Sequence, residues 1–261
     1  MRAIVIREPG GPEVLELREL PLPEPGRGQV RVRVAASGIN RADLLQQRGG
    51  YPAPSGWPGE IPGLEFAGTV EALGEDAATL GQVRIGDRVM GIVGGGGYAE
   101  AVVVHARELV AVPARVSLAE AGGIAEVFMT AFDALLSQMK LRLGETLLVH
   151  AVGSGVGTAA LQLACAAGAR MIGTSRTPAK LARAQELGLH EGVHVSDTSW
   201  PERVLGLTGG CGADVILDLV GAPYLAGNQK VLAARGRMIV VGVTGGGQVA
   251  IDLRALLTRR A

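Results

Sequence analysis

The stretch TLLVHAVGSGVGTAALQLACAA, residues 146–167, decides the expected fold of this chain. It begins as a β-rich run, passes through a glycine-dense turn and continues directly into an apolar helix. Such a turn lets the backbone come close to phosphate groups, and the free N–H groups at the helix start face negative charge. The stretch therefore predicts a dinucleotide site at Gly153, Ser154, Gly155 and Val156.

The glycine pattern departs from the strict GxGxxG fingerprint of dinucleotide-binding turns. Glycines stand at alternate positions in the run Gly153-Ser154-Gly155-Val156-Gly157. Glycine clusters also occur in loops that serve only as turns, so the cluster alone is weak evidence. Its position between a strand and an apolar helix is what favours nucleotide binding.

The end of the second expected strand of this region indicates which cofactor the turn would hold. NAD-binding units usually place Asp or Glu about 20 residues beyond the first glycines, where it accepts hydrogen bonds from the ribose 2′-OH. The corresponding stretch has no acid and offers Ser175, Arg176, Thr177 and Lys180. A guanidinium fork suits a phosphate dianion, so these residues predict a 2′-phosphate site and NADPH. The alternative is that Arg176 and Lys180 are ordinary solvated charges on a helix face.

Strand and helix patterns alternate along the second half of the chain, after a long helical region that Ser117 and Glu120 begin with a capping box. Strands are expected at 146–151, 171–174, 193–195, 214–219 and 237–242, with helices at 156–167, 178–187, 201–207 and 224–234. This alternation predicts an α/β fold with a doubly wound parallel sheet over residues 119–261. The sequence ends in an expected helix, LRALLTRRA, so the sixth strand of a complete sheet is expected to be missing.

Residues 1–118 are β-rich and divided by clusters of glycine and proline. Strands are expected at 3–6, 14–17, 29–36, 65–72, 88–92 and 99–104, with one clear helix at 41–47. The short, evenly separated strands predict a small barrel-like β domain that precedes the α/β domain.

The composition favours a folded, turn-rich α/β protein and does not suggest a nucleic-acid or membrane-surface partner. Hydrophobic residues make up 48% of the chain, and 25 basic residues balance 25 acidic ones, which argues against nucleic-acid or membrane-surface binding. The apolar runs are shorter than the ~20 residues of a membrane span, and the first residues do not resemble a signal peptide. A cytoplasmic protein is therefore expected. Cys165 is expected to pack as a small hydrophobe and Cys211 to lie in a loop.

Several segments together resemble the medium-chain dehydrogenase/reductase superfamily, in particular its zinc-free quinone oxidoreductase branch and the p53-inducible quinone oxidoreductase-like group. The segments are ASGINRADLLQQRGGYP (36–52), PGLEFAGTV (62–70), GDRVMGIVGGGGYAE (86–100), AEVFMTAFDALL (125–136), LVHAVGSGVGTAALQLA (148–164) and GADVILDLVG (212–221). The resemblance implies a GroES-like β-barrel domain followed by a Rossmann domain. In the family the chain then returns to the first domain, so this C-terminal return segment is expected to be missing here.

Differences from the zinc alcohol dehydrogenases predict that no metal is bound. Those enzymes place a Cys ligand where this chain has Ser37-Gly38-Ile39-Asn40, and a Gly-His-Glu where it has Gly63-Leu64-Glu65. A catalytic zinc needs three protein ligands, and the residues that would supply them are replaced. The substrate is then expected to accept hydride without help from a metal.

The resemblance implies reduction of a quinone or another conjugated carbonyl compound by NADPH. It also implies pairing into a homodimer along the sheet edge, which is altered in this chain. Two alternatives remain open: a reductase of enones or enoyl thioesters, and a shortened chain that binds nucleotide without turnover.

The resemblance also implies further site residues. Asn40 is expected to contact cofactor or substrate, and Tyr51 to place its phenol over the acceptor, unless it is a loop residue packed on the surface. Thr130 is expected near the nicotinamide, unless its hydroxyl bonds within its helix. Backbone groups of Gly242 and Val243 are expected to meet the carboxamide.

Overall fold

The chain forms two compact units, Met1–Glu126 and a second that begins at Val127. The computed structural model describes residues 1–260. The sequence places the change of pattern earlier, at residue 118, but the helix that follows residue 118 packs on the first unit. Its residue Ala121 is buried against Ala67 and Met90 of the β domain.

The first unit is built on an antiparallel sheet of five strands in the order β6-β3-β4-β5-β7. Its strands are β3 (Gln29–Ala36), β4 (Glu65–Leu73), β5 (Arg88–Ile92), β6 (Ala101–His105) and β7 (Val110–Ala111), and β1 (Arg2–Ile6) pairs with β2 (Leu15–Glu19) in a separate hairpin. Alternate residues of β3 turn inward, so that Val30 and Val32 are buried with Phe66 in one apolar core. The predicted β-rich domain with a GroES-like fold is confirmed.

Short helices connect these strands: α1 (Arg41–Gln47), α2 (Ala77–Gly81) and α3 (Leu118–Ala121). The helix α1 has the predicted bounds, while α2 was missing from the sequence prediction. At α3 the predicted capping box is present, since the Ser117 N–H donates to the Glu120 carboxylate at 2.8 Å and the Glu120 N–H donates to the Ser117 hydroxyl at 3.2 Å.

The second unit contains a parallel sheet of five strands in the order β10-β9-β8-β11-β12. The strands are β8 (Thr146–Val149), β9 (Arg170–Ser175), β10 (Glu191–His194), β11 (Ala213–Asp218) and β12 (Leu232–Val240). The predicted Rossmann-type architecture is confirmed, and the described residues contribute no sixth strand to this sheet. The strand order reverses beside β8, the position where ligands bind outside the carboxyl ends of the strands.

Helices cover both faces of this sheet: α4 (Ala125–Phe132), α5 (Gly155–Ala166), α6 (Pro178–Glu186), α7 (Trp200–Leu207), α8 (Leu225–Val231) and α9 (Leu253–Arg259). One core lies between α5 and the sheet around Leu147, Leu161 and Met171. A second core lies on the other face around Ile172 and Ile216. Burial on both faces explains the continuous apolar runs of these strands.

Three local predictions were wrong. The long helix expected after Ser117 is interrupted at Gly122–Gly123, and its last part, Asp133–Gln138, forms a π-helical turn. The helix expected at 224–234 ends at Val231 because the next residues pair with β11, as in the pair Leu232 and Ala213. Cys165 is exposed, because α5 buries the face that carries Ala160, Leu161 and Ala164.

Among residues 1–260, no helix combines the length and the apolar character needed to cross a bilayer.

A chain of buried hydrogen bonds links three strands of the second unit at their carboxyl ends. The His150 ring lies between the Thr174 hydroxyl, 2.8 Å from Nδ1, and the Asn228 side-chain oxygen, 2.6 Å from Nε2. The Asn228 amide donates to the Asp218 carboxylate at 2.8 Å, which fixes its oxygen as the acceptor toward His150. His150 therefore carries its proton on Nε2 and accepts from Thr174 at Nδ1.

Burial lowers the pKa of His150 from 6.5 to about 4, although Asn228 and Asp218 oppose this shift. Because the unfolded chain takes up this proton at a higher pH than the folded chain, the His150 contribution to stability is complete above pH 6.5. It declines as the pH falls from 6.5 toward 4, by about 1.4 kcal/mol per pH unit.

We expect the free energy of unfolding, measured by urea denaturation, to fall more steeply between pH 6.5 and 4 in the wild type than in His150→Gln. The substitution His194→Gln is the matched control and should keep the wild-type slope. Nitrogen NMR of the His150 ring should show the neutral Nε2-protonated tautomer at pH 6.5, with the charged ring gaining population only as the pH approaches 4. Equal slopes together with a charged ring at pH 6 would contradict the assignment.

Candidate functional site

The glycine turn predicted from sequence lies between the carboxyl end of β8 and the start of α5, the 12-residue helix Gly155–Ala166. Ser154 is the N-cap of α5, and its hydroxyl accepts from the Gly157 N–H at 3.1 Å. A Cβ atom at Gly157 would lie 2.6 Å from the Ala151 carbonyl oxygen and 2.7 Å from that of Val152. Only glycine allows α5 to start so close to the strand, which is the packing that a dinucleotide-binding turn requires.

Positive charge lies next to this turn. A Cβ atom at Gly153 would lie 2.7 Å from the Lys180 Cβ, so the Lys180 stem packs over the turn. Lys180 and Arg176 are both exposed. Ser175 is buried, and its hydroxyl accepts from the Thr177 N–H at 3.1 Å and donates to the Thr177 carbonyl at 3.3 Å. The run 175–180 contains no carboxylate, and neither Arg176 nor Lys180 forms an ion pair within residues 1–260.

The remaining predicted cofactor residues of the second unit differ in whether their hydrogen-bond donors already have acceptors within the protein. The Gly242 N–H is already donated to the Asp218 carbonyl at 3.3 Å. The Val243 N–H and the Thr130 hydroxyl make no hydrogen bond within residues 1–260. The intrahelical hydrogen bond considered as the alternative for Thr130 is therefore not formed in the structure. Val243 and Thr130 keep donors available to a ligand, and Gly242 does not.

In the first unit, the carboxylate of Glu65 is buried at the start of β4 and organises the residues around it. The Asn40 amide donates to one Glu65 oxygen at 2.8 Å, and the Glu126 N–H donates to the other at 3.0 Å. The Ser37 hydroxyl donates to the Glu65 carbonyl at 2.6 Å. Gly38 leaves the space that the carboxylate fills, because a Cβ there would overlap it. Asn40 is thus held by a buried acid.

A second buried carboxylate, Asp43, lies close to Glu65. It accepts from the Tyr98 hydroxyl at 2.8 Å and from the Asn40 N–H at 2.7 Å. Burial, opposed by the hydrogen bond from Asn40, raises the pKa of Glu65. Burial, with the charges of Glu65 and Asp43, raises the pKa of Glu126, and burial beside Asp43 raises that of Tyr98. Burial and the neighbouring carboxylates therefore disfavour the ionised forms of Glu65, Glu126 and Tyr98.

Glu126 and Tyr51 share a cavity of about 300 Å³ in the first unit. The other walls are mainly apolar: Pro54, Trp57, Leu64, Ile92 and Val93, with Gly94 and Glu108. Trp57 packs on Gly94, where a Cβ would lie 2.5 Å from its ring. Few polar groups in an apolar cavity at the lower end of the usual size range are typical of a small-molecule site.

A larger cavity of about 510 Å³ lies along β6, with walls that include Met1, Gln29 and His105. It lacks Tyr51 and every residue of the acid cluster. The smaller cavity is therefore the candidate site, because it combines an apolar wall with Tyr51 and with Glu126 of the acid cluster.

The first unit does not offer the ligands of a catalytic zinc. Leu64, which occupies the position of the family's His ligand, has no donor atom and is 6% exposed. The hydroxyl of Ser37 is committed to the Glu65 carbonyl. Within the described residues, no group of three or more His, Cys, Asp or Glu side chains is placed to hold a metal ion. The residues present thus do not fit zinc.

Sequence reasoning missed the acid cluster and the cavity wall. In the sequence, Glu65 stands out only as the neighbour of a replaced zinc ligand. The sequence does not predict site roles for Asp43, Glu126 and Trp57. The signal for Glu65 was an acid inside an apolar strand segment, PGLEFAGTV, since such a group needs a partner when buried. Nothing in the local sequence placed Glu126 beside it, because the two are 61 residues apart.

Both parts of the chain match known domain families. Residues 26–114 match the alcohol dehydrogenase GroES-like domain, and residues 155–261 match the zinc-binding dehydrogenase domain. A quinone oxidoreductase of Pseudomonas aeruginosa is 37% identical over 248 residues, which cover 95% of this chain and 75% of that protein. The chain therefore belongs to the medium-chain dehydrogenase/reductase superfamily, as its segments predicted.

Solved structures agree with this assignment. An NAD-dependent alcohol dehydrogenase is 35% identical with a TM-score of 0.90, covering 100% of this chain and 82% of the other. A mycobacterial protein solved with NADPH is 32% identical with a TM-score of 0.88, covering 99% and 79%. The enoyl reductase CurK is 27% identical with a TM-score of 0.86, covering 99% and 77%.

We expect Gly157→Ala to destabilise the second unit by about 1–3 kcal/mol, because the added methyl overlaps the Ala151 and Val152 carbonyl oxygens. The matched control is Gly206→Ala on α7, where a Cβ meets no atom within 4 Å and a gain of about 0.5–1 kcal/mol is expected. Urea denaturation of both variants measures the difference. Equal stability of the two would refute the close approach of α5.

Proposed function

We propose that the protein reduces quinones with NADPH and without a bound metal. The observation that carries the proposal is the glycine turn, where Gly157 brings the start of α5 against β8 and leaves an anion-binding helix terminus. The quinone oxidoreductase relative, similar over 95% of this chain, supports the reaction class.

The preference for NADPH rests on the end of β9. Ser175 stands where an NAD-binding unit usually has an acid, and Arg176 and Lys180 present two exposed cations to the same edge. A carboxylate would repel a 2′-phosphate, whereas a guanidinium binds it with paired hydrogen bonds. The NADPH complex of the mycobacterial protein supports this choice.

The cofactor supplies a hydride from its nicotinamide ring. The chain's own contribution is to bind and orient: the turn at Gly153 holds the pyrophosphate, and Lys180 adds charge beside it. The Val243 N–H and the Thr130 hydroxyl are the free donors we assign to the nicotinamide end.

On the acceptor side, we assign the quinone ring to the apolar cavity beside Tyr51. Because Leu64 and Ser37 offer no zinc site, the acceptor is one that takes hydride without a Lewis acid, which quinones do. The Tyr51 side chain is 42% exposed, so its phenol remains accessible to a bound ring. Asn40 acts by holding the Glu65 carboxylate; direct contact of its amide with cofactor or substrate remains a prediction.

The second candidate is a reductase of enones or enoyl thioesters, which the similarity to the enoyl reductase CurK favours. Both reactions place hydride on a conjugated acceptor. Steady-state rates of NADPH oxidation with 1,4-naphthoquinone and with enone or enoyl thioester substrates separate the two. If NADPH binds tightly but none of these acceptors oxidises it, the protein is instead one that binds the nucleotide without turnover.

We expect Arg176→Asp to weaken NADPH binding about 10- to 100-fold, since one charge-assisted contact to the 2′-phosphate is lost. Its effect on NADH should be small. The substitution Arg183→Asp makes the same charge change further along α6 and is the control. Titration of cofactor fluorescence measures the affinities of the wild type and both variants for each cofactor, and an equal loss for both cofactors in Arg176→Asp would rule out the 2′-phosphate contact.

A further inference from the structure

Glu126 is the one acidic side chain of the buried cluster that also forms a wall of the apolar cavity. Its carboxylate makes no hydrogen bond and no ion pair within residues 1–260. The same cavity holds Tyr51 and the ring of Trp57. An acid with a free carboxyl group beside an apolar ligand space is placed to act on that ligand.

The acids of the cluster differ in their hydrogen-bond partners. Glu65 accepts N–H donors on both oxygens, from the Asn40 side chain and from the Glu126 backbone. Asp43 accepts from the Tyr98 hydroxyl and the Asn40 N–H on one oxygen. The donors to Glu65 oppose the rise that burial causes in its pKa.

Glu126 receives no such donor, and both carboxylates oppose its ionisation. Burial is the largest cause of its raised pKa, followed by Glu65 on β4 and Asp43 on α1. The other titratable groups of the cavity wall are Tyr51 and Glu108, and no lysine or arginine belongs to that wall. Glu126 is therefore the carboxyl group of the cluster whose ionisation is opposed without a compensating hydrogen bond to its oxygens.

We propose that Glu126 is the general acid that donates a proton to a carbonyl oxygen of the acceptor bound in this cavity. This proposal rests on the proposed quinone reductase function. It gives the reaction a carboxylic acid as its proton donor, a group that the Asn40 amide, bound to Glu65, does not replace.

The step balances as follows: a hydride, two electrons with one proton, passes from NADPH to the quinone, which becomes reduced as the nicotinamide becomes oxidised to NADP⁺. The O–H bond of Glu126 breaks, and a new O–H bond forms at the quinone oxygen where negative charge develops. The Glu126 carboxylate then takes a proton from solvent. The products are NADP⁺ and the hydroquinone.

The test compares Glu126→Gln with the wild type, because glutamine still donates a hydrogen bond but has no transferable proton. We expect kcat/KM for 1,4-naphthoquinone to fall about 100-fold, within the range of general acid catalysis. The wild-type value should decline as the pH rises through the raised pKa of Glu126, and the variant should lose this decline. Glu126→Asp should keep the decline at an intermediate rate.

A binding measurement without cofactor gives a second readout. Naphthoquinone should quench Trp57 fluorescence, and its affinity should weaken with rising pH in the wild type but not in Glu126→Gln. Glu75→Gln is the control, since Glu75 is exposed and lies outside the cavity and the cluster. Rates within threefold of wild type and an unchanged pH profile in Glu126→Gln would overturn the proposal.

The two proposals fail in different ways. If the wild type does not oxidise NADPH with any quinone, the proposed function is wrong, and a pH-independent naphthoquinone affinity would then overturn the role of Glu126 as well. If the wild type is active and Glu126→Gln is equally active, only the role of Glu126 is wrong. Unchanged NADPH affinity and thermal unfolding in the variant show that it is folded.

Discussion

The close approach of α5 to the end of β8 is the contact on which the proposed nucleotide site depends. At Gly157 there is no room for even one methyl group between the helix and the carbonyl oxygens of Ala151 and Val152. This contact directs the unpaired N–H groups of the first helical turn toward the place where the strand order reverses. Ala151 has a positive φ of 50°, a conformation that non-glycine residues adopt rarely, so the chain bears local strain to make this turn.

Buried polar contacts hold the rest of that edge in place. His150, the residue before Ala151, links β8 to Thr174 on β9 and through Asn228 to Asp218 on β11. Asp218 in turn accepts the N–H groups of Val220 and Gly221 and, at its carbonyl, those of the segment after β12. Each donor in this series of hydrogen bonds has one acceptor. The series therefore favours a single arrangement of the strand ends.

The first unit also contains a network of buried polar side chains, and its members are mainly carboxylic acids. Both oxygens of Glu65 accept hydrogen bonds, so it orders Asn40 and the start of α4, whereas Glu126 lines an apolar cavity and its carboxyl group makes no hydrogen bond within residues 1–260. Two neighbouring acids thus have different environments because their hydrogen-bond partners differ. Leu64 has no donor atom to offer a metal, and Glu126 is the ionisable group of the acid cluster that also lines this cavity.

Sequence alone determined the succession of elements, the glycine turn and the missing acid at the end of β9, because each is a local pattern of apolar period, glycine position or charge. It also gave the family, and with it the two domain types. It did not find the break at Gly122, the early start of β12 or the exposure of Cys165, since packing against other strands and helices decides them. Only the tertiary structure brought Glu126 to Glu65 and His150 to Asn228, because residues far apart along the chain meet when long-range strand pairing and burial place them together.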